Sequence, residues 1–178
     1  MAGPVDTPGF PKAYSCRACH GRAGASRGDA VPVLAGMPTW YFKKAIDDYA
    51  SGRRPSPEME SFSKMVNTLG VDDIAAYFAA QRREPSEIKI ERGAISKGRA
   101  ASTPCAGCHG QDGRGNQAKG APPLAGQPSG YLLNQMKLFK AEKRSPGDAN
   151  VTGVKAAMKP LDDATLADLA AYYASFGR

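Results

Sequence analysis

The sequence predicts an all-α protein built from two tandem repeats. Three observations carry this prediction: apolar residues recur at helical spacing, alternation at period two is nowhere sustained, and four sequence blocks recur in the same order along the 178 residues. Glycine (20 residues) and proline (14 residues) are frequent, so long loops should join the helices. Repeats this short bury thin hydrophobic cores, which a large apolar cofactor would reinforce.

The repeat is visible when the sequence is slid along itself by 89 to 95 residues. The paired blocks are 16–21 with 105–110, 32–38 with 122–128, 41–54 with 131–144, and 74–79 with 169–174. The boundary between the two repeats lies near the polar stretch "REPSEIKIER". We therefore predict an N-terminal domain over residues 1–83, a linker over 84–92 and a C-terminal domain over 93–178.

The first predicted helix runs from Tyr41 to Arg53, with apolar residues at 42, 45, 46 and 49. Its counterpart in the second half continues the same stripe at Leu132, Met136 and Phe139.

A closing helix is predicted in each half. In the second half its apolar face comprises residues 166, 169, 170, 173 and 176. An acidic pair stands before it in both halves, where a helix N-terminus favours negative charge. These pairs are Asp72 with Asp73, and Asp162 with Asp163.

Each repeat opens with Cys-x-x-Cys-His, and the two copies contain all four cysteines and both histidines of the chain. A thioredoxin-like motif would require strands, which the pattern does not show. A zinc site formed from the two cysteine pairs would leave the histidines unexplained. Covalent attachment of haem c uses every residue, through two thioethers and one iron-binding imidazole per copy. The predicted set is Cys16, Cys19 and His20 for haem 1, and Cys105, Cys108 and His109 for haem 2.

The repeated "PxLAGxP" loop is the candidate support for the histidines. An iron-binding histidine usually donates its other ring N–H to a carbonyl, which fixes the orientation of the ring. The carbonyls of Pro32 and Pro122 are our candidates, and a plain rigid turn is the alternative interpretation.

The sixth iron ligand must come from another residue type, because both histidines are already used. Methionine is the strongest candidate, since its thioether favours reduced iron. The methionines after each motif are Met37, Met59 and Met65 in the first half, and Met136 and Met158 in the second. Met37 aligns with a glutamine, and Met136 lies on an apolar helix stripe, where packing is its expected role.

The order of these blocks, with "CxxCHG", "PxLAGxP", a helix from Tyr to a terminal Arg and a closing "AAYF" helix, resembles the di-haem cytochrome c4 family over nearly the whole chain. The resemblance implies two tandem class I cytochrome c domains, each wrapped around one covalently bound haem c. It also implies a loop that carries the ligand methionine, at a register that falls on Met59 when counted back from Ile74. Met65 is the alternative.

The second half departs from that register. The same count back from Leu169 lands on Val154, and Met158 lies four residues later. We predict Met158 as the ligand of haem 2, with Lys155, Lys159 or a five-coordinate iron as alternatives.

The resemblance implies an electron carrier, not an enzyme, that works in the periplasm. Its expected partners are a terminal oxidase, a membrane respiratory complex or a soluble dehydrogenase. The alternative is a haem enzyme, or an electron-accepting subunit of a sulfur- or nitrogen-oxide oxidoreductase, with a modified second haem. No signal peptide or membrane-spanning stretch is recognisable. Because covalent haem implies assembly outside the cytoplasmic membrane, we expect a signal peptide to have been removed.

The formal charge of +7 is uneven, with +2 in residues 1–84 (11 basic, 9 acidic) and +5 in 85–178 (13 basic, 8 acidic). Such a surface suits an acidic redox partner. Basic residues are not interleaved with aromatic ones, so nucleic acid is not an expected partner. Four basic residues at equivalent places are candidates to pair with haem propionates: Arg53, Arg54, Lys143 and Arg144.

Overall fold

The computed structural model describes residues 6–83, 89–147 and 152–176. These residues form ten α-helices, joined by loops and three short 3₁₀ turns, and contain no β-strand. The helices are α1 Gly9–Ala13, α2 Arg17–His20, α3 Thr39–Ala50, α4 Pro57–Leu69, α5 Val71–Ala79, α6 Arg92–Ala101, α7 Thr103–His109, α8 Ser129–Lys140, α9 Gly153–Met158 and α10 Asp163–Ala174. The all-α prediction is confirmed for this part of the chain.

The described residues divide into two compact units. The first contains residues 6–26 and 33–83, and the second contains residues 27–32 together with those from 89 onward. The division follows the tandem repeat except for residues 27–32. The domain and linker boundaries predicted above remain predictions.

The first unit is built on the contacts of α1 with α5 and of α3 with both α4 and α5. The predicted stripe of α3 is buried at all four positions, so the helical periodicity was interpreted correctly. Gly9 allows α1 to approach α5, because a Cβ added there would lie 2.1 Å from the carbonyl oxygen of Asp73.

The second unit repeats this arrangement. Helix α6 packs against α10, and α8 packs against α9 and α10. A Cβ added at Gly98 in α6 would lie 2.0 Å from the carbonyl oxygen of Asp168 in α10. The predicted stripe of α10 is buried at Leu166, Leu169, Ala170 and Tyr173, and Phe176 packs against the same cluster.

The ends of the helices follow local chemistry. Helix α3 ends at Ala50, three residues before the predicted end, and Gly52 then adopts a left-handed φ of +75°. Asp72 and Asp73 lie in the first turn of α5, and Asp162 caps α10 by accepting a hydrogen bond from the Thr165 backbone N–H at 2.7 Å. The acidic pairs were therefore placed correctly at helix starts.

The methionine-bearing segment of the first half is a helix, whereas the resemblance implied a loop. Ser56 accepts a hydrogen bond from the Met59 backbone N–H at 3.2 Å, and Pro57 occupies the first helical position. Glu58 and Glu60 add negative charge to the first turn. These four side chains are ordinary helix-start signals, so α4 follows from the local sequence around Met59.

Candidate haem-binding sites

The first Cys-x-x-Cys-His motif lies on a continuous helical path. A 3₁₀ turn over Tyr14–Cys16 runs directly into α2, which ends at His20. Cys16 is half-buried against the apolar core, Cys19 is exposed, and the His20 side chain is buried. Because the two thiols are three residues apart on helical turns, they face the same side and suit two thioether bonds to one porphyrin.

The second motif has the same form on α7. Cys105 is half-buried against the core, and Cys108 is exposed. None of the four cysteines, all of which the structure describes, forms a disulfide bond. Burial raises the pKa of both half-buried thiols, Cys16 and Cys105.

His109 is held by the loop that the sequence indicated. Its Nδ1 lies 2.8 Å from the carbonyl oxygen of Pro122. A carbonyl can only accept, so Nδ1 carries the proton and Nε2 keeps the lone pair that iron binds. Burial lowers the pKa of His109, and the hydrogen bond to Pro122 opposes this effect only partly. The predicted carbonyl partner is confirmed at Pro122, and the equivalent bond from His20 to Pro32 remains a prediction.

The "PxLAGxP" loops have a second role, which the sequence did not reveal. In the first repeat, Leu34 donates its backbone N–H to the Gly24 carbonyl at 2.9 Å, and Gly36 donates to the Phe78 carbonyl in α5 at 2.9 Å. The loop therefore ties the segment after the haem motif to the closing helix. Gly36 has a φ of +67°, which explains the glycine in the motif.

The two candidate methionines of the first half face different directions. Met59 shares a face of α4 with the buried residues Ser63 and Val66, and it packs against the apolar core. Met65 lies outside this face and is 38% exposed. The geometry favours Met59 as the residue that faces the interior of the first unit.

In the second half, Met158 is the last residue of α9, and its side chain is 7% exposed. Lys155 and Val154 are half-buried, and Lys159 is exposed. Of these alternatives, Met158 is the most deeply buried.

The basic residues proposed for propionates separate into two classes. Arg53, three residues beyond the end of α3, forms ion pairs with Asp47 and Asp48 of that helix, and Lys143 is exposed. The guanidinium groups of Arg54 and Arg144 are buried and stack 4.5 Å and 4.4 Å from the centroids of aromatic rings. Arg54 and Arg144 are therefore the two remaining candidates to pair with haem propionates.

Two buried hydroxyl groups show that these sites suit a bound group. Within the described residues, Ser63 Oγ and Tyr173 Oη are buried and make no hydrogen bond of ordinary geometry. Buried hydroxyls in folded proteins nearly always have a partner. Ser63 lies one turn from Met59, and Tyr173 packs in the same cluster as Cys105, so both hydroxyls lie beside predicted haem-binding residues.

Comparisons with known proteins agree with this geometry. The family model described as cytochrome c matches residues 95–176. Cytochrome c4 of Pseudomonas aeruginosa is 34% identical over 154 residues, covering 80% of this chain and 75% of that protein. A thiosulfate dehydrogenase electron acceptor of Stutzerimonas stutzeri is 30% identical over 179 residues, covering 94% and 82%. The crystal structure of reduced recombinant cytochrome c4 from Pseudomonas stutzeri has a TM-score of 0.82 at 27% identity, covering 94% of this chain and 96% of that one.

Proposed function

Because this chain belongs to the cytochrome c4 family of di-haem electron carriers, we propose that it carries single electrons in the periplasm between a donor dehydrogenase or respiratory complex and a terminal oxidase. Members of this family are electron carriers with two covalent haem c groups. The chain is therefore an electron carrier, and we do not retain the alternative of a haem enzyme. Haem c, when bound, supplies a one-electron Fe(III)/Fe(II) couple. The observation that carries the proposal is the duplicated Cys-x-x-Cys-His motif with an oriented histidine.

The protein's own residues hold and orient each cofactor. The four cysteines supply the thioether sulfurs, and His20 and His109 supply iron ligands. The carbonyl of Pro122 keeps the proton of His109 on Nδ1 and fixes the plane of its imidazole ring. A fixed imidazole costs little rearrangement when the iron changes oxidation state, which suits electron transfer.

We propose Met59 and Met158 as the sixth ligands. Burial supports both: Met59 lies on the inner face of α4, and Met158 is 7% exposed at the end of α9. A thioether raises the potential and closes the iron to outside ligands, as a pure electron carrier requires.

The experiment that tests this ligation is near-infrared magnetic circular dichroism of the oxidised protein, quantified per haem. The iron–thioether charge-transfer band counts methionine-bound haems, and we expect two. Met158→Ala should reduce the count to one, whereas Met136→Ala, which removes a half-buried methionine from α8, should leave it at two. A count that Met158→Ala leaves unchanged would refute Met158 as a ligand.

The periplasmic location is part of the proposal. It is supported by the covalent haem attachment, which implies assembly outside the cytoplasmic membrane. In the described part of the chain, no helix is both long and apolar enough to span a bilayer.

The partner class is likewise proposed. A relative at 30% identity is named as the electron acceptor of thiosulfate dehydrogenase, so a soluble dehydrogenase of an inorganic sulfur compound is a candidate donor. Stopped-flow reduction of the oxidised protein by such a dehydrogenase and its substrate would test it. Reduction no faster than by the substrate alone would contradict this donor.

A further inference from the structure

The two closing helices carry one aromatic ring each at the same place in the repeat. Phe78 in α5 aligns with Tyr173 in α10 at an offset of 95 residues. The carbonyl of Phe78 accepts a hydrogen bond from the Gly36 N–H at 2.9 Å, and that of Tyr173 accepts one from the Gly126 N–H at 2.9 Å. The backbone at the two positions is therefore held in the same way.

The rings themselves also lie in matching surroundings. A Cβ added at Gly24 would lie 2.8 Å from Cδ1 of Phe78, and one added at Gly113 would lie 3.0 Å from Cδ1 of Tyr173. Both glycines follow their haem motif by the same number of residues. The two positions thus differ chemically by a single hydroxyl group, present in the second repeat and absent from the first.

That hydroxyl is buried without an ordinary partner. Tyr173 is 3% exposed, and its Oη makes no hydrogen bond of ordinary geometry within the described residues. Cys105 packs against the cluster that contains Tyr173, and burial, together with the Cys105 thiol, raises the pKa of the Tyr173 hydroxyl. Burying an unpaired hydroxyl is unfavourable, and a phenylalanine, as at position 78, would avoid the cost.

We propose that the Tyr173 hydroxyl donates a hydrogen bond to the thioether sulfur that Cys105 forms with haem 2, and that this bond raises the potential of haem 2. This inference rests on the proposed function only in requiring a haem c at Cys105. A thioether sulfur is a weak acceptor, so the bond is modest, but it lies in a buried site where dipoles act strongly. The positive end of the O–H dipole stabilises an electron added to the cofactor, and haem 1 has no equivalent group at Phe78.

The test is a spectroelectrochemical titration of the di-haem protein and its Tyr173→Phe variant. The variant keeps the ring and removes only the hydroxyl. We expect the ratio of ferrous to ferric haem 2, at a fixed applied potential, to fall about threefold, which corresponds to about 30 mV for a one-electron couple. The potential of haem 1 should not change. Phe78→Tyr is the matched gain-of-hydroxyl variant, and it should raise the potential of haem 1 alone.

A second readout follows the bond itself. Resonance Raman spectroscopy should show a shift of one thioether C–S stretching band in Tyr173→Phe, because a hydrogen bond to sulfur polarises that bond. Unchanged potentials, or equal shifts of both haems, would overturn the inference. Haem quantification separates this failure from that of the proposed function: a protein that lacks haem at Cys105 overturns both, whereas full haem content with unchanged potentials overturns the tuning role alone.

Discussion

Two methionines of helix α4 differ in burial because they lie on different faces of the helix. Met59 and Met65 are six residues apart, yet Met59 packs against the core and Met65 is 38% exposed. A position six residues on lies well away from the starting face of an α-helix, because 3.6 residues complete a turn. Only one of the two can therefore face the interior of the unit.

We predict that Met59→Ala opens the first haem to added imidazole or cyanide, because the thioether that closes the iron is lost. Optical titration of the oxidised protein should show binding to one haem per molecule. Met65→Ala is the control and should bind neither ligand. The assignment of Met59 would be refuted if the two variants exchanged these behaviours.

The carbonyl that supports His109 could be predicted from sequence, since the "PxLAGxP" loop follows the motif and offers Pro122 as the acceptor. The role of Tyr173 could not be predicted. Its hydroxyl is unusual only because it is buried beside Cys105, a residue 68 positions earlier in the chain. Sequence patterns show the type of a side chain but not the distant groups around it.

At the scale of helices, two glycines decide how closely the first and last helices of each repeat approach. Gly9 and Gly98 sit where a side chain would overlap the backbone of the closing helix. The close approach lets α6 pack along α10 and completes the unit around the core.

We predict that Gly98→Ala destabilises the di-haem protein by about 1–3 kcal/mol, because the new methyl group would overlap the carbonyl of Asp168 and force α6 away from α10. Guanidinium chloride unfolding, followed by circular dichroism, measures the change. Gly93→Ala is a matched control on the same helix, since a Cβ there meets nothing within 4 Å. It should be neutral or slightly stabilising. Equal destabilisation by both variants would contradict the overlap as the cause.

At helix α4 the prediction drawn from the family resemblance was wrong, although the local residues indicate the correct structure. The resemblance implied a loop around Met59, although a serine cap, a proline and two acidic residues precede or open a helix there. The segment was predictable from its own residues. Helix α9 lacks a side-chain cap and spans six residues, so its existence depends on packing against α8.

The charge of the whole molecule bears on its partners. The chain carries +7, and four haem propionates reduce this to about +3, with the excess in the second half. A basic carrier is attracted to acidic redox proteins over distances that depend on ionic strength.

We predict that electron transfer to an acidic redox partner slows about tenfold when the ionic strength rises from about 0.01 M to about 0.15 M, because the screening length falls from about 30 Å to about 8 Å. Stopped-flow rates across a salt series measure it. Lys97→Gln removes an exposed charge from the more basic half and should lower the rate at low salt more than Lys64→Gln in the first half. A rate that does not depend on salt would rule out electrostatic steering.

The sequence by itself determined the two Cys-x-x-Cys-His motifs, the internal repeat and the all-α class, and it predicts the roles of the four cysteines and two histidines. The motifs and the all-α class follow from adjacent residues and helical periodicity, which are local, and the repeat is read by comparing the two halves of the sequence. The tertiary structure decided that Met59 and not Met65 packs against the core, and that the Pro122 loop is a hydrogen-bond partner of His109 and not only a rigid turn. It also decided that the Tyr173 hydroxyl is buried in the cluster that contains Cys105. These outcomes depend on contacts between segments far apart in sequence. Such contacts are set by packing, which no local pattern of residues specifies.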